Sequence, residues 1–202
     1  MATIIPALVQ VALAEWTFFG GGQINLDGTV KDGKKEYQDG AWQRVGDYWR
    51  FLGGAYRNLT GKDRGYPWSA AFVSFCFHEA GAKDRFPYAA AHATYINAAI
   101  RNADEGRSTA PIVAHRLGDY QLKVGDLIGY WRGDTKVSFD TARRIGYYES
   151  HTDIVVEVDD SYAYSIGGNV SQSVTRRQVK LNARGQLADK SANWFVVIEN
   201  RK

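Results

Sequence analysis

Ser69 opens the stretch of this sequence that could carry chemistry. It follows Pro67-Trp68, and an apolar run with no further helix breaker begins at this point. A serine in the first turn of a helix has two common uses. As a cap, its oxygen accepts a hydrogen bond from an unpaired backbone N–H. As a nucleophile, it has backbone N–H groups and the positive helix end beside it, which stabilise a developing anion. The second use requires a base elsewhere in the chain.

His151 is the candidate base, because it begins the run HTDIVVEV, whose β-branched residues predict a strand. Strand alternation places His151, Asp153 and Val155 on one face. We expect the imidazole to face the helix that carries Ser69. Asn169, in the IGGN that ends the next predicted strand, is expected to reach the other ring nitrogen. Hydroxyl, imidazole and amide would then serve as nucleophile, base and orienting group in acyl transfer.

Three further residues near these positions have competing interpretations. Asp153 is either a hydrogen-bonded structural carboxylate or a group that orients His151 and raises its basicity. For His92, on a predicted helix, packing is favoured over function. Cys76 is the chain's single cysteine and lies in an apolar run, so we expect a buried and unreactive thiol. One cysteine also allows no internal disulfide and no Cys/His metal cluster, and we expect no metal and no cofactor.

The elements that must position these groups change type halfway along the chain. Apolar spacing predicts helices at 4–18, at about 37–53, from 68 onward and at 89–103, with an exposed loop at 20–36. β-branched and aromatic runs predict strands at 124–132, 151–158, 161–168, 174–181 and 194–200. We therefore expect an α+β fold in one domain, 1–202. Its helical part (about 4–103) packs on an antiparallel sheet formed by the second half (about 124–200).

The composition limits the classes of protein to which this sequence can belong. The chain has 202 residues, of which 45% are apolar, and this predicts a globular fold. The net charge of +3 is scattered, so we expect no nucleic acid partner, whereas an anionic cell wall is compatible. The N-terminal apolar run lacks basic residues and contains Glu15 and Trp16, which favours a helix over a signal peptide. No membrane span is expected, and we predict synthesis in the cytoplasm without a signal peptide.

Several segments resemble known families. In order, PWSAAF, VGDLIGYW, HTDIVVEV and IGGNVSQSV resemble the papain-like bacterial amidases of the NlpC/p60 and CHAP kind. EWTFFG, PWSAAFVSF, HATYI and HTDIVVEV resemble more closely the bacterial family DUF2272, over about residues 8–200. This resemblance implies a papain-like, NlpC/p60-type fold.

The resemblance also implies roles for individual residues. Ser69 falls where the amidases have their nucleophilic cysteine, His151 on the base and Asn169 on the orienting residue. Serine is a departure, because a hydroxyl must lose its proton during attack whereas a thiol beside histidine is partly ionised. The sequence leaves open whether Ser69 is the native nucleophile or stands in place of a cysteine. Substrate binding and the oxyanion hole are expected to use Tyr66, Trp68 and His92 beside the Ser69 N–H.

The function that these residues favour is an amide hydrolase acting on peptidoglycan stem peptides. An immunity or carrier protein is an expected partner, as for an effector toxin or phage lysin delivered to a periplasm or cell wall. The alternative is an inactive papain-like module that binds wall fragments or a partner protein. A wall glycosidase using Glu15 or Glu36 is disfavoured, because neither has a suitably spaced partner carboxylate.

Overall fold

The protein is α+β, and the residues that the structure describes form five α helices and one eight-stranded sheet. The computed structural model describes residues 3–202, so residues 1 and 2 of the predicted domain lie outside the described residues. The helices are α1 (Ile5–Phe18), α2 (Ala41–Leu52), α3 (Ser69–Glu79), α4 (His92–Asp104) and α5 (Phe139–Ile145). Within the described residues, no helix is both long enough and apolar enough to cross a bilayer.

The sheet is mixed rather than purely antiparallel. Its strands are β1 (Gly22–Ile24), β2 (Val30–Lys31), β3 (Ile112–His115), β4 (Leu127–Trp131), β5 (Ser150–Val158), β6 (Tyr162–Val170), β7 (Ser173–Lys180) and β8 (Trp194–Asn200). They lie in the order β2-β1-β7-β6-β5-β4-β8-β3. All neighbours are antiparallel except β1 and β7, which pair in parallel.

The four predicted helices and five predicted strands are all present, with ends shifted by a few residues. The predicted loop at 20–36 is wrong in part, because β1 and β2 lie within it and extend the sheet edge. The sequence also gives no prediction of β3 or α5. These elements are short, and β1 depends on pairing with β7, about 150 residues away in the chain, which local periodicity does not report.

Two apolar cores cover the two faces of the sheet. On β5, Ile154 and Val156 point into the larger core, which also contains the buried sides of α1 to α4. Val155 points to the opposite face, into a smaller core with Ile128 and Val197 that the segments around Leu122 and Leu187 help to form. This alternation decides which side chains of β5 can meet the helices.

A buried ion pair joins the first two helices. Glu15 of α1 is only 4% exposed. It accepts one hydrogen bond from Arg44 Nε at 2.9 Å and another from the Tyr48 hydroxyl at 2.5 Å. Its carboxylate is therefore engaged in fixing α1 to α2. This contact explains a carboxylate within an otherwise apolar helix.

Candidate functional site

Ser69 forms its side-chain hydrogen bond with a histidine. It is the first residue of α3, and its Oγ lies 2.6 Å from Nε2 of His92, the first residue of α4. The N-cap position belongs to Trp68, and no side chain caps this helix end. Both partners are almost fully buried. A hydroxyl in contact with an imidazole nitrogen is the arrangement that a nucleophile and its base require.

The other nitrogen of the His92 ring lies among hydroxyl groups. Nδ1 is 3.0 Å from Thr152 Oγ1 and also contacts the Tyr95 hydroxyl, and the two hydroxyl oxygens are 2.9 Å apart. Either oxygen can accept the Nδ1 proton, which leaves the Nε2 lone pair to accept the Ser69 hydroxyl proton. The group that orients the ring is thus a Tyr–Thr pair.

The surroundings of His92 favour its neutral form. Burial lowers the pKa of His92 well below the ordinary value of 6.5, and the charges of His151 and Arg132 lower it further. A neutral imidazole at neutral pH is able to take a proton from Ser69.

His151 forms a second polar pair beside the first. Its Nε2 lies 2.9 Å from Asp153 Oδ1, and its ring centroid is 5.0 Å from that of His92. Ser165 Oγ donates to Asp153 Oδ2 at 3.2 Å, and Arg177 Nε lies 3.7 Å from the same oxygen. Burial raises the Asp153 pKa, but the hydrogen bond and charge of His151, with the Arg177 charge, outweigh it, so the pKa is lowered. Nδ1 of His151 is buried with no partner in the described residues.

The alternation predicted for β5 is present, but the face differs from the expected one. His151 pairs across the sheet with Tyr130, 5.1 Å between rings, on the face of the smaller core. The intervening Thr152 points to the helices and reaches His92. The helices cover the face of Ile154, so the strand presents Thr152, not His151, to the side from which α3 and α4 pack.

Asn169 and Trp68 are engaged at the start of α3. In the orientation that satisfies both neighbours, the Asn169 amide donates to Glu36 Oε2 and accepts from the Trp68 backbone N–H, each at 3.3 Å. The Trp68 indole also donates to Glu36 and stacks on Phe19, so its ring is buried. No hydrogen bond joins Asn169 to His151 in residues 3–202; the residue on the His151 ring nitrogen is Asp153.

A cleft of about 360 Å³ opens onto Ser69 and His92. Its other lining residues are Pro67, Ala90, Ala91, Arg132, Gly133, Tyr147, Tyr148, Glu149 and Ser150. Tyr66 and Trp68, the other residues expected to bind substrate, do not line it, and Tyr66 is half exposed. Within residues 3–202, no three histidine, cysteine or acidic side chains are grouped as metal ligands would be.

Backbone donors lie beside the Ser69 hydroxyl. The first hydrogen bond within α3 runs from the Phe72 N–H to the Trp68 carbonyl, at 2.9 Å. The N–H groups of Ser69, Ala70 and Ala71 therefore have no acceptor in the helix. Such donors at a helix start can hold the oxyanion of a tetrahedral intermediate.

Two adjacent glycines allow β6 to lie close to the His151–Asp153 pair and to the start of α3. A Cβ at Gly167 would lie 2.0 Å from Asp153 Oδ1, and one at Gly168 would lie 2.6 Å from Phe72 Cβ and 2.8 Å from Trp68 Cζ3. A side chain at either position would displace the start of α3 or the His151–Asp153 pair.

The Ser69–His92 contact is what the sequence prediction missed. The signal available was the spacing in HATY, since two polar rings three residues apart share a helix face. That spacing shows that His92 and Tyr95 are neighbours, but not that Ser69 meets them.

Comparison with known proteins gives one family. The family described as "Uncharacterized protein conserved in bacteria (DUF2272)" matches residues 36–200, which include Ser69, His92, His151 and Asn169. No curated protein and no solved structure matches the chain.

Proposed function

We propose that this chain, which belongs to the bacterial family DUF2272, is an amide hydrolase with Ser69 as nucleophile and His92 as general base. The observation that supports this most is the 2.6 Å contact between Ser69 Oγ and His92 Nε2 at the floor of an open cleft. The contact has the length of a nucleophile–base hydrogen bond. Burial of a serine solely to cap the helix would not require an imidazole there.

The reaction follows from the positions of these groups. Ser69 Oγ attacks the amide carbonyl carbon while its proton passes to His92 Nε2, and the oxyanion forms against the first-turn N–H groups of α3. The tetrahedral intermediate collapses when His92 returns the proton to the leaving amine. Water then attacks the acyl-enzyme ester with His92 again as base, which releases the acid and restores Ser69. Tyr95 and Thr152 hold the ring throughout.

In this proposal, His151 and Asp153 act on the base through charge. The ring of His151 lies 5.0 Å from that of His92, and its own hydrogen bond goes to Asp153. Its positive charge, when protonated, disfavours a second charge on His92. The expectation that His151 itself takes the Ser69 proton remains the competing hypothesis. Asn169 in either case holds the backbone that leads into α3.

The substrate class we propose is the stem peptide of peptidoglycan. Its support is the resemblance of PWSAAF and HTDIVVEV to wall amidases, together with a cleft whose rim carries one cation, one carboxylate and an exposed tyrosine, Tyr147. Such a substrate lies outside the cytoplasm. We therefore propose delivery to a periplasm or cell wall, by a secretion machine or by phage lysis, with an immunity or carrier protein as partner.

Digestion of purified cell-wall sacculi tests this function. We expect soluble peptide release by the parent protein, a loss of at least about a thousandfold in Ser69→Ala and His92→Gln, and a smaller loss in His151→Gln. The matched control is Ser74→Ala: Ser74 is a second buried serine of α3, whose hydroxyl donates to the Ala89 carbonyl at 3.0 Å and which does not itself line the cleft. Melting temperatures show that each variant is folded.

Each contrary result has a definite meaning. Full digestion by Ser69→Ala removes Ser69 as nucleophile. A loss in His151→Gln as large as in Ser69→Ala, with His92→Gln active, makes His151 the base. Binding of sacculi without release by the parent protein supports the alternative, an inactive wall-binding module. Mass spectrometry of the protein during turnover should find a substrate acyl group on the peptide that contains Ser69.

A further inference from the structure

Arg132 is an exposed cation at the mouth of the Ser69–His92 cleft. It follows β4, and its backbone N–H donates to the Glu149 carbonyl at 2.8 Å, so the two residues are held side by side on one wall. It is the only lysine or arginine that lines this cleft. Its charge is among those that disfavour protonation of His92, which places the guanidinium within electrostatic reach of the base.

This guanidinium has no carboxylate partner among residues 3–202, whereas several other arginines do. The paired ones include Arg44 with Glu15, Arg116 with Asp140, Arg143 with Asp104 and Arg176 with Glu157. An unpaired planar cation beside a nucleophile is suited to a carboxylate, which it can bind through two parallel hydrogen bonds.

Glu149 is the acidic residue next to Arg132 on this wall of the cleft. Its carboxylate lies over the backbone of Gly133, 2.5 Å from the position that a Cβ would occupy, and forms no ion pair in the described residues. Gly133 has φ +68°, so the turn after β4 both bends sharply and leaves room for this carboxylate. The wall thus presents a cation and an anion separately, and the anion is suited to an ammonium group.

We infer that the cleft selects a zwitterionic peptide, with Arg132 binding a free carboxylate of the substrate and Glu149 binding a free ammonium group. The inference rests on the proposed function for the position of the scissile amide at Ser69. In this inference, Arg132 and Glu149 are the residues that distinguish a zwitterionic peptide from a neutral one.

Binding to Ser69→Ala tests the inference without relying on turnover. The probes are a disaccharide tetrapeptide from peptidoglycan with free carboxylates and a free side-chain amine, its carboxamide form and its N-acetylated form. Titration calorimetry measures the affinity of each probe for Ser69→Ala. It also measures the affinity for double variants in which Ser69→Ala is combined with Arg132→Gln, Glu149→Gln or Arg57→Gln. Arg57 is an exposed arginine that does not line the cleft and serves as the control.

We expect Ser69→Ala to bind the free acid at least about tenfold more tightly than the carboxamide, and the free amine more tightly than its acetylated form. Arg132→Gln should abolish only the first preference and Glu149→Gln only the second, while Arg57→Gln keeps both. Retention of the acid preference in Arg132→Gln, or no binding of any probe, overturns the inference. Absence of sacculus digestion by the parent protein refutes instead the proposed hydrolase, because binding and cleavage are measured separately.

Discussion

The Nδ1 nitrogen of His92 has two hydroxyl partners, and each can be removed alone. We predict that Tyr95→Phe lowers kcat by about tenfold and leaves KM unchanged, because Thr152 alone then holds the ring in the orientation that Ser69 needs. Thr152→Val should lower kcat to a similar extent. In the double variant, the fold-loss in kcat should exceed the product of the two single losses. Steady-state kinetics on a soluble stem peptide measures this. A rise in KM with constant kcat would instead assign Tyr95 to substrate binding.

The buried, neutral His92 should make the stability depend on pH. Its pKa is lowered in the folded protein below 6.5 by burial and by the charges of His151 and Arg132, whereas in the unfolded chain it returns to about 6.5. Between those two pKa values the unfolded chain binds more protons, so the stability supplied by neutral His92 is lost as the pH falls through this window.

We therefore predict that the melting temperature of the parent protein falls between pH 7 and pH 5 by more than that of His92→Gln. The half-exposed His78 supplies the control, since His78→Gln should follow the parent protein. Equal slopes for His92→Gln and the parent protein would contradict a depressed pKa at His92. Because a histidine with a lowered pKa stays neutral to a lower pH, kcat/KM should also be retained to a lower pH than with an ordinary histidine base.

At the residue scale, the sequence predicts the position of Ser69 better than that of its hydrogen-bond partner. Pro67 and the apolar run after it place Ser69 at a helix start, which is local information. The partner, His92, lies 23 residues further on, and only the packing of both α3 and α4 onto β5 brings it to the hydroxyl. Strand alternation pairs His151 with Asp153 but does not say which face the helices cover.

The start of α3 depends on how closely β6 can approach it. We predict that Gly168→Ala lowers the free energy of unfolding by about 1–3 kcal/mol, because the added methyl would overlap Phe72 and Trp68 at the turn that carries Ser69. Gly118→Ala is the matched control, since nothing lies within 4 Å of a Cβ there. Urea unfolding measures both variants. A Gly168→Ala protein as stable as the parent would show that α3 is not fixed by this contact.

The helices and strands differ in how far neighbouring residues in the chain predict them. The amphipathic spacing of α2 and the β-branched runs of β5 and β8 are visible in short windows of sequence. β1, at three residues, and β2, at two, are too short to show a period. β1 forms because β7 offers an edge, and β2 pairs in turn with β1. α5 has a capping box at Ser138 and Thr141, but this helix has only seven residues and is stabilised by its packing against α4.

Across the whole molecule, the larger core joins α1 to α4 to one face of the sheet, and Cys76 lies within it. As predicted, the thiol is fully buried, and burial raises its pKa well above the ordinary value of 9.0. It lies in the second half of α3, within electrostatic reach of Glu15 on α1 and Tyr48 on α2. A thiol in that position becomes reactive only when the core opens.

We predict that a water-soluble thiol reagent labels Cys76 only through global unfolding. For a domain of ordinary stability, about 5 kcal/mol or more, labelling in native buffer should be at least about 5,000-fold slower than for a free thiol. The rate should rise with urea in parallel with the unfolding equilibrium, and Gly168→Ala should raise it by the factor that its loss of stability implies, about fivefold for 1 kcal/mol. Cys76→Ala should keep its turnover once folded, because no atom of Cys76 lines the Ser69–His92 cleft. Labelling as fast as a free thiol, or independent of urea, would mean that α3 opens on its own. Ser69 would then lie on a mobile helix rather than on a rigid core.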